Sequence, residues 1–244
     1  MTDYSEQFFS NAIDALQQVS LDSGAAIHQT AQALAEAIIN ENQLYLFGSG
    51  HSALVARDAA GRAGGLVPVT VLEDVIEGDA ERLEGLARII VGRYHLRSGS
   101  VFIVISNSGI NPVPIEMAML GKEVGLTVVA ITSLQHSRSV ESRHSSGKKL
   151  YELADIVIDT HIVRGDAVIE VSGSPTPTGA TSTIVGCTIV QAITVQTVAL
   201  LAENGHEPPV LVSANIPEGR DHNRELLTRY RPQLARYQFP LGWD

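Results

Sequence analysis

The stretch Ser106-Asn107-Ser108-Gly109-Ile110-Asn111, SNSGIN, joins an apolar run at 100–105 to a helix that opens at Pro112. An apolar run of that length, closed by a turn segment and followed by helical spacing, reads as a buried strand feeding a helix. The first turn of a helix has backbone N–H groups without internal partners, and the helix dipole favours negative charge there. A loop of hydroxyls and glycine at that point is an expected anion pocket, with phosphate the usual guest. Its residues are Ser106, Asn107, Ser108, Gly109 and Asn111. Ser106, Ser108 and Asn111 add side-chain donors, and Gly109 lets the backbone approach a ligand closely.

Working outward, residues 6–40 read as helical, with a break near 20–24. Strands are expected at 44–47, 67–72, 101–105, 127–131 and 156–159, with a short extra one at 167–171. Helices are expected between them at 53–63, 80–94 and 112–124, then at 181–203 and from about His222. Apolar strands alternating with helices mean a parallel sheet covered on both faces, a three-layer α/β fold of five main strands. Extra helices lie before about residue 40 and after about 205, on one domain spanning 1–244. In such sheets ligands bind beyond the carboxyl ends of the strands. Residues 136–149, rich in Ser, Arg and His, read as a loop and a flexible cover.

Composition narrows the classes. A 44% hydrophobic content is that of a globular chain, and 244 residues suffice for a substantial core. A formal net charge of −10 argues against a general nucleic-acid or anionic-membrane binder, though it leaves room for a local phosphate site. The lone Cys187 has no internal disulfide partner and lies in an apolar helix, which suggests packing in a reducing cytoplasm. The N-terminus lacks the apolar core of a signal peptide. Residues 184–202 approach the length of a membrane span, but Gln191, Gln196 and several threonines point to an interior or subunit-interface helix.

A second glycine loop, Gly48-Ser49-Gly50-His51-Ser52, follows the first strand. It is a weak partial match to a dinucleotide fingerprint: Ala53 replaces the third glycine, while Glu73 stands near the distance of the ribose acid. Thr132 and Ser133 follow the fourth strand. Hydroxyls at three strand ends on one sheet edge point to one polar pocket, although Ser, Gly and Asn dominate turns in any case.

Together GSGHS, ISNSGIN, AITS and the later TGATST (178–183) resemble the SIS (sugar isomerase) domain family, over roughly residues 40–203. The resemblance implies a phosphosugar ligand with its phosphate on Ser106 and Ser108. Asn111 stands where the family usually carries Thr. Ser49, Gly50, His51, Ser52, Thr132, Ser133, Thr181, Ser182 and Glu116 are the further substrate contacts it suggests. Within the superfamily the chain is similar to N-acetylmuramic acid 6-phosphate etherases. Their second catalytic glutamate has no counterpart in Asp58–Gly65, which counts against etherase activity. It looks most like the bacterial SIS proteins that include N-acetylglucosamine-6-phosphate dehydratases.

Ring-opened aldose phosphates have an acidic C2 proton. Isomerisation, loss of a C3 substituent and C3 dehydration all begin by removing it, and a carboxylate is a suitable base. Glu84, in DAERLEGLA, is the candidate base from the resemblance. On a helix it would flank the apolar stripe Leu83, Leu86, Ala87, Ile90 and Tyr94, on a face shared with Glu77 and Glu81. The plain alternative is a solvated acidic face or an i,i+4 pair with Arg88. His222, behind Asp221 as a plausible N-cap, is the candidate second acid or base. Since SIS enzymes often draw a histidine from a partner subunit, it could serve its own or a neighbouring chain, and a homodimer or larger assembly with a shared site is implied. His161 and Asp166 are weaker candidates. No metal-ligand spacing is present, and neither metal nor cofactor is expected. The expected function is a lyase or dehydratase acting on an amino-sugar 6-phosphate. An aldose–ketose isomerase and a non-catalytic phosphosugar sensor are the alternatives.

Overall fold

The computed structural model describes residues 3–73, 78–232 and 234. Five parallel strands form one sheet: β1 (Leu44–Gly48), β2 (Val69–Val71), β3 (Val101–Ile105), β4 (Thr127–Thr132) and β5 (Ile156–Asp159). Their spatial order is β2-β1-β3-β4-β5. The period of two sorts their side chains between two cores. Leu44 and Leu46 of β1, with Val101, Ile103 and Ile105 of β3, face one side. Tyr45, Phe47, Phe102 and Val104 face the other.

The first core is covered by α1 (Tyr4–Asp22), α2 (Gly24–Ile39), α3 (His51–Ala59) and α8 (Ser182–Glu203). The second is covered by α4 (Leu86–Val91), α5 (Pro112–Val124) and α7 (Leu150–Leu153). Each fully buried Leu, Ile, Val or Phe adds about 1.5–3 kcal/mol, so both cores fix the sheet firmly. Two further helices, α6 (Leu134–Arg138) and α9 (Gly219–Tyr230), contribute no residue to these two cores. The strand order reverses between β1 and β3, and there the crevice of a doubly wound sheet opens. GSGHS leaves β1 and SNSGIN leaves β3, so both loops stand at that crevice.

Several local readings change. The helix expected over 80–94 is broken: a 3₁₀ turn covers Gly78–Arg82, and α4 starts only at Leu86. Gly85 between them has φ +88°, a left-handed conformation that interrupts helical periodicity. Leu83 therefore leaves the apolar stripe and is 57% exposed. Glu77 lies outside the described residues. The helix after β1 ends at Ala59, not 63, because Gly61 and Gly64 also take positive φ.

The extra strand becomes β6 (Ala167–Ile169), paired antiparallel with β7 (Thr178–Ala180) in a separate ribbon. Its edge is tied to α1, where the Ser172 N–H donates to the Tyr4 hydroxyl at 3.1 Å. The final helix begins at Gly219 with Glu218 at its N-cap, so Asp221 lies inside the first turn and pairs with Arg224. Helix α8 is long and apolar enough to cross a membrane, with a mean hydropathy of 1.9. In the fold it buries Val185, Ile189, Val190, Ile193 and Leu201 in the first core. Thr194 and Thr197 donate to the carbonyls of Val190 and Ile193, which satisfies their buried hydroxyls within the helix.

Candidate functional site

At the reversal point the loops enclose a cleft of about 610 Å³, within the usual size of small-ligand sites. Ser49, Gly50, His51 and Ser52 form one side, and Ser106, Asn107, Ser108 and Asn111 another. Glu81, His136, Gly165, Asp166 and Ser182 complete it.

Both loops depend on glycine for close packing. A Cβ on Gly48 would collide with the Ser52 carbonyl, so only glycine lets α3 start this close to β1. Gly109 has φ +63°, and a Cβ there would lie 2.9 Å from Thr132 Oγ1. Its close approach is thus to Thr132 inside the protein, not to a ligand. The Gly109 N–H donates to Ser106 Oγ at 3.2 Å, which leaves the Ser106 hydroxyl proton for the cleft.

The helix contributes less to this pocket than the sequence reading assigned to it. Proline occupies positions 112 and 114, so among the first three helical residues only Val113 retains a backbone N–H. Ligand-facing donors must come from the loop. Ser49 Oγ is buried there without a partner, and Arg143 donates to Asn111 Oδ1 at 2.8 Å, leaving Asn111 Nδ2 as a donor. The Asn107 side chain turns toward Thr160, whose hydroxyl stands 3.2 Å from Asn107 Oδ1.

Other candidates are structural supports of the cleft rather than its lining. Thr132 and Ser133 are fully buried and turn inward, to the carbonyls of Asn107 and Ile162 respectively. Thr181 is buried, and its N–H donates to Asp166 Oδ1 at 3.0 Å. Glu116 accepts the Gly85 N–H at 2.6 Å and faces His144 Nε2 at 3.7 Å, beside a separate pocket of about 170 Å³. It pins the Gly85 bend to α5. Glu73 pairs with Arg57 at 3.6 Å. His161 stands between Asp22 and Asp159, away from the cleft lining.

Glu84 is not among the residues that line the cleft. Its two oxygens accept the N–H and hydroxyl of Ser145 at 2.6 and 2.8 Å. These bonds hold its carboxyl below the usual range, the backbone bond contributing most. Among the described residues the glutamate that does line the cleft is Glu81, three residues earlier, within the 3₁₀ turn. His222 is exposed, donates through Nε2 to the Val210 carbonyl at 2.9 Å, and is likewise absent from the lining.

Beside the exposed His51, the cleft holds a second imidazole, His136, in α6 directly after β4. Its Nδ1 is buried without a partner. Burial, followed by the charges of Arg164 and Arg143, pushes its pKa below the ordinary histidine value, so it is neutral at neutral pH. The 139–150 segment beside it is bonded down at many points rather than left as a loose cover. Arg143 N–H donates to the Ile110 carbonyl, Leu150 N–H to that of Gly109, and Lys149 Nζ to that of Ser137. Glu81 and His136 were both visible as letters. Their signals were the glycine that breaks the helix after Glu84 and the position of His136 one turn beyond a strand end.

Asp166 stands at φ +68° and accepts three hydrogen bonds at the start of α8. The N–H groups of Thr181 and Ser182 bond Oδ1, and the Ser182 hydroxyl donates to Oδ2 at 2.6 Å. Among the described residues no group of three His, Cys, Asp or Glu side chains could hold a metal ion.

The fold and cleft define a doubly wound α/β protein with a serine-lined crevice at the sheet's reversal point. The SIS domain signature matches residues 7–133. A UPF0309 protein of Geobacillus thermodenitrificans is 39% identical over 238 residues, covering 94% of this chain and 96% of that one. UPF0309 protein SCO4393 of Streptomyces coelicolor is 37% identical over 239 residues, covering 93% and 95%. The chain belongs to the SIS domain family, in its UPF0309 group.

Among solved structures, phosphoheptose isomerase GmhA from Neisseria gonorrhoeae matches with a TM-score of 0.57 and 16% identity, over 80% of this chain and 97% of that one. A phosphoheptose isomerase from Francisella tularensis matches with a TM-score of 0.57 and 18% identity, over 81% and 98%. At such identities the shared property is the fold.

Proposed function

We propose that this protein is a phosphosugar lyase that removes the C2 proton of an amino-sugar 6-phosphate, such as N-acetylglucosamine 6-phosphate, and eliminates water across C2 and C3. The observation that carries this reading is the joint presence in one cleft of two serine loops, the Glu81 carboxylate and the neutral imidazole of His136. The loops hold the phosphate of the ring-opened sugar. Glu81 takes the C2 proton, and the electron pair moves onto the C1 carbonyl oxygen as an enolate. A neutral imidazole N–H suits that oxygen, because it stabilises developing charge without itself being acidic. When the C1 carbonyl re-forms, the C2–C3 double bond appears and hydroxide leaves C3. The proton held by Glu81 completes the water. Glu81 replaces Glu84 as the base in this reading, since Glu84 is committed to Ser145.

The same enolate, reprotonated at C1 after proton exchange between the oxygens, would give aldose–ketose isomerisation of a 2-hydroxy sugar. A regulator that binds a phosphosugar without turnover would need neither Glu81 nor His136 in the cleft. His222 enters the chemistry only if another copy of the chain carries it to this cleft. The exposed Phe9, Ile13 and Leu21 of α1 and Val195 of α8 support such a homo-oligomer. A cytoplasmic location follows from the substrate class.

The test is incubation with N-acetylglucosamine 6-phosphate in deuterated water, followed by NMR and mass spectrometry. Loss of water, with a C2 signal that collapses or exchanges, is expected. A ketose product would favour the isomerase. Tight binding with an unchanged sugar across a panel of phosphosugars would overturn the enzyme reading.

A further inference from the structure

Beneath the cleft lies a small recess with about 20 Å³ of free room. A buried space of roughly 10–15 Å³ holds one water, so this one takes a single water or a methyl-sized group. Val55, Ile105, Ile131 and Gly186 give it an apolar wall. Gly186 has no side chain to fill it, and a Cβ there would already lie 3.0 Å from Val55 Cγ2. His51, Ser52, Asn107 and Ser182 line both the recess and the cleft.

The hydrogen-bond polarity of two of them, Ser182 and Asn107, is fixed by neighbouring groups. Ser182 gives its only hydroxyl proton to the Asp166 carboxylate at 2.6 Å, and a carboxylate cannot return one. Ser182 Oγ therefore meets a ligand as an acceptor. The Thr160 hydroxyl is 3.2 Å from Asn107 Oδ1, and Thr160 Oγ1 itself receives the Ile162 N–H at 3.5 Å. An amide oxygen only accepts, so Thr160 is the donor in this pair, and Asn107 keeps Nδ2 as the donor it can offer a ligand.

An acceptor, a donor and a methyl-sized apolar space complement a secondary amide. We infer that this recess reads the acetamido group of an N-acetylated amino-sugar phosphate. The amide N–H donates to Ser182 Oγ, the carbonyl accepts from Asn107 Nδ2, and the methyl occupies the space beside Val55, Ile105, Ile131 and Gly186. A hydroxyl at C2 can donate to Ser182 Oγ and accept a hydrogen bond itself, but it leaves the apolar wall without a partner. Asp166, which also lines the cleft, is then a specificity-positioning residue: it sets the polarity of Ser182. The inference rests on the phosphosugar reading and names the substituent that this reading left open.

The test is calorimetric titration of the full chain with N-acetylglucosamine 6-phosphate, its N-propionyl analogue, and 2-deoxyglucose 6-phosphate, which lacks any C2 substituent. Ser182→Ala is expected to weaken the acetylated ligand by about tenfold and to leave the deoxy sugar unchanged. Asp166→Asn keeps an oxygen for the Thr181 and Ser182 amides but offers an amino group to Ser182 Oγ. The hydroxyl proton is then released into the cleft, and a similar selective loss is expected. The extra methylene of the propionyl analogue is expected to cost about tenfold in the unaltered chain. Equal losses for the acetylated and deoxy ligands in both variants would overturn the recess assignment and leave the phosphosugar reading standing. So would equal affinity of the unaltered chain for those two ligands. If none of the three sugars bound, and inorganic phosphate bound no better, the phosphosugar reading would fall and take the recess with it.

Discussion

Helices α5 and α8 both begin at the cleft, and the polar groups at their two starts are opposite in kind. At α5 the amides that would bind an anion are mostly missing, because Pro112 and Pro114 have none. Ser106, Ser108 and Asn111 line the cleft there with hydroxyls and an amide. At α8 the amides of Thr181 and Ser182 are present but occupied by Asp166. The polarity at the start of a helix is thus decided by the side chains around it. The macrodipole alone would favour an anion at both helix starts; here one start offers side-chain hydroxyls in place of amides, and at the other the amides are already taken by a carboxylate.

The largest effect should fall between the two helix starts, on Glu81. Glu81→Gln is expected to lower turnover about 10²–10⁴-fold, the usual contribution of a general base, with ligand affinity largely kept. Glu84→Gln should stay within about threefold of the unaltered rate, since charge loss there weakens only exposed bonds to Ser145. Steady-state rates on the same phosphosugar decide it, and the reverse ranking would return the base role to Glu84.

Next comes the phosphate. Ser108→Ala should weaken inorganic phosphate binding about tenfold, in line with the loss of one charge-assisted hydrogen bond. Ser182→Ala should leave it unchanged. Equal losses in a titration with phosphate would erase the distinction between α5 and α8.

A smaller effect concerns stability. Asp166→Ala removes the side chain that satisfies the start of α8 and should cost about 0.5–2 kcal/mol in urea unfolding, as cap removals do. Ser108→Ala should stay within about 0.5 kcal/mol, as expected away from such features. A more stable Asp166→Ala chain would mean that the carboxylate is held there against the fold's own preference.

The smallest effect is on pH dependence. The folded His136 has a lowered pKa, so below the ordinary histidine value, about 6.5, the unfolded chain binds more protons there. Its contribution to stability is full above that pH and is lost as pH falls through the folded value. Unfolding curves should show a shallow decline below about pH 6.5 that His136→Gln removes. A decline that persists unchanged in this variant would place the titration elsewhere.

Most of the fold was legible because its signals are local. Apolar strands, the glycines after β1 and β3, and helical spacing each act over a few residues, and together they located both loops at one sheet edge. The missed details required contacts across the chain. Helical periodicity carried Glu84 onto the same face as its neighbours, but it cannot see that Gly85 turns left-handed and reorients everything before it. The effect of Pro112 and Pro114 was readable from the letters alone, since a proline has no N–H wherever it stands. By contrast, nothing near Asp166 in sequence says that its carboxylate meets residues 181 and 182. That contact exists only because β6 and β7 fold back on each other.

The bonds of the 139–150 segment to SNSGIN have a consequence for dynamics. Arg143 and Leu150 donate their amides to the carbonyls of Ile110 and Gly109, so their solvent exchange depends on how firmly that loop is held. A ligand that restrains the loop should slow deuterium uptake at these two amides, in a stretch dozens of residues along the chain from the serines themselves. Their protection would then serve as a gauge of occupancy, readable by mass spectrometry even with a ligand that is never turned over.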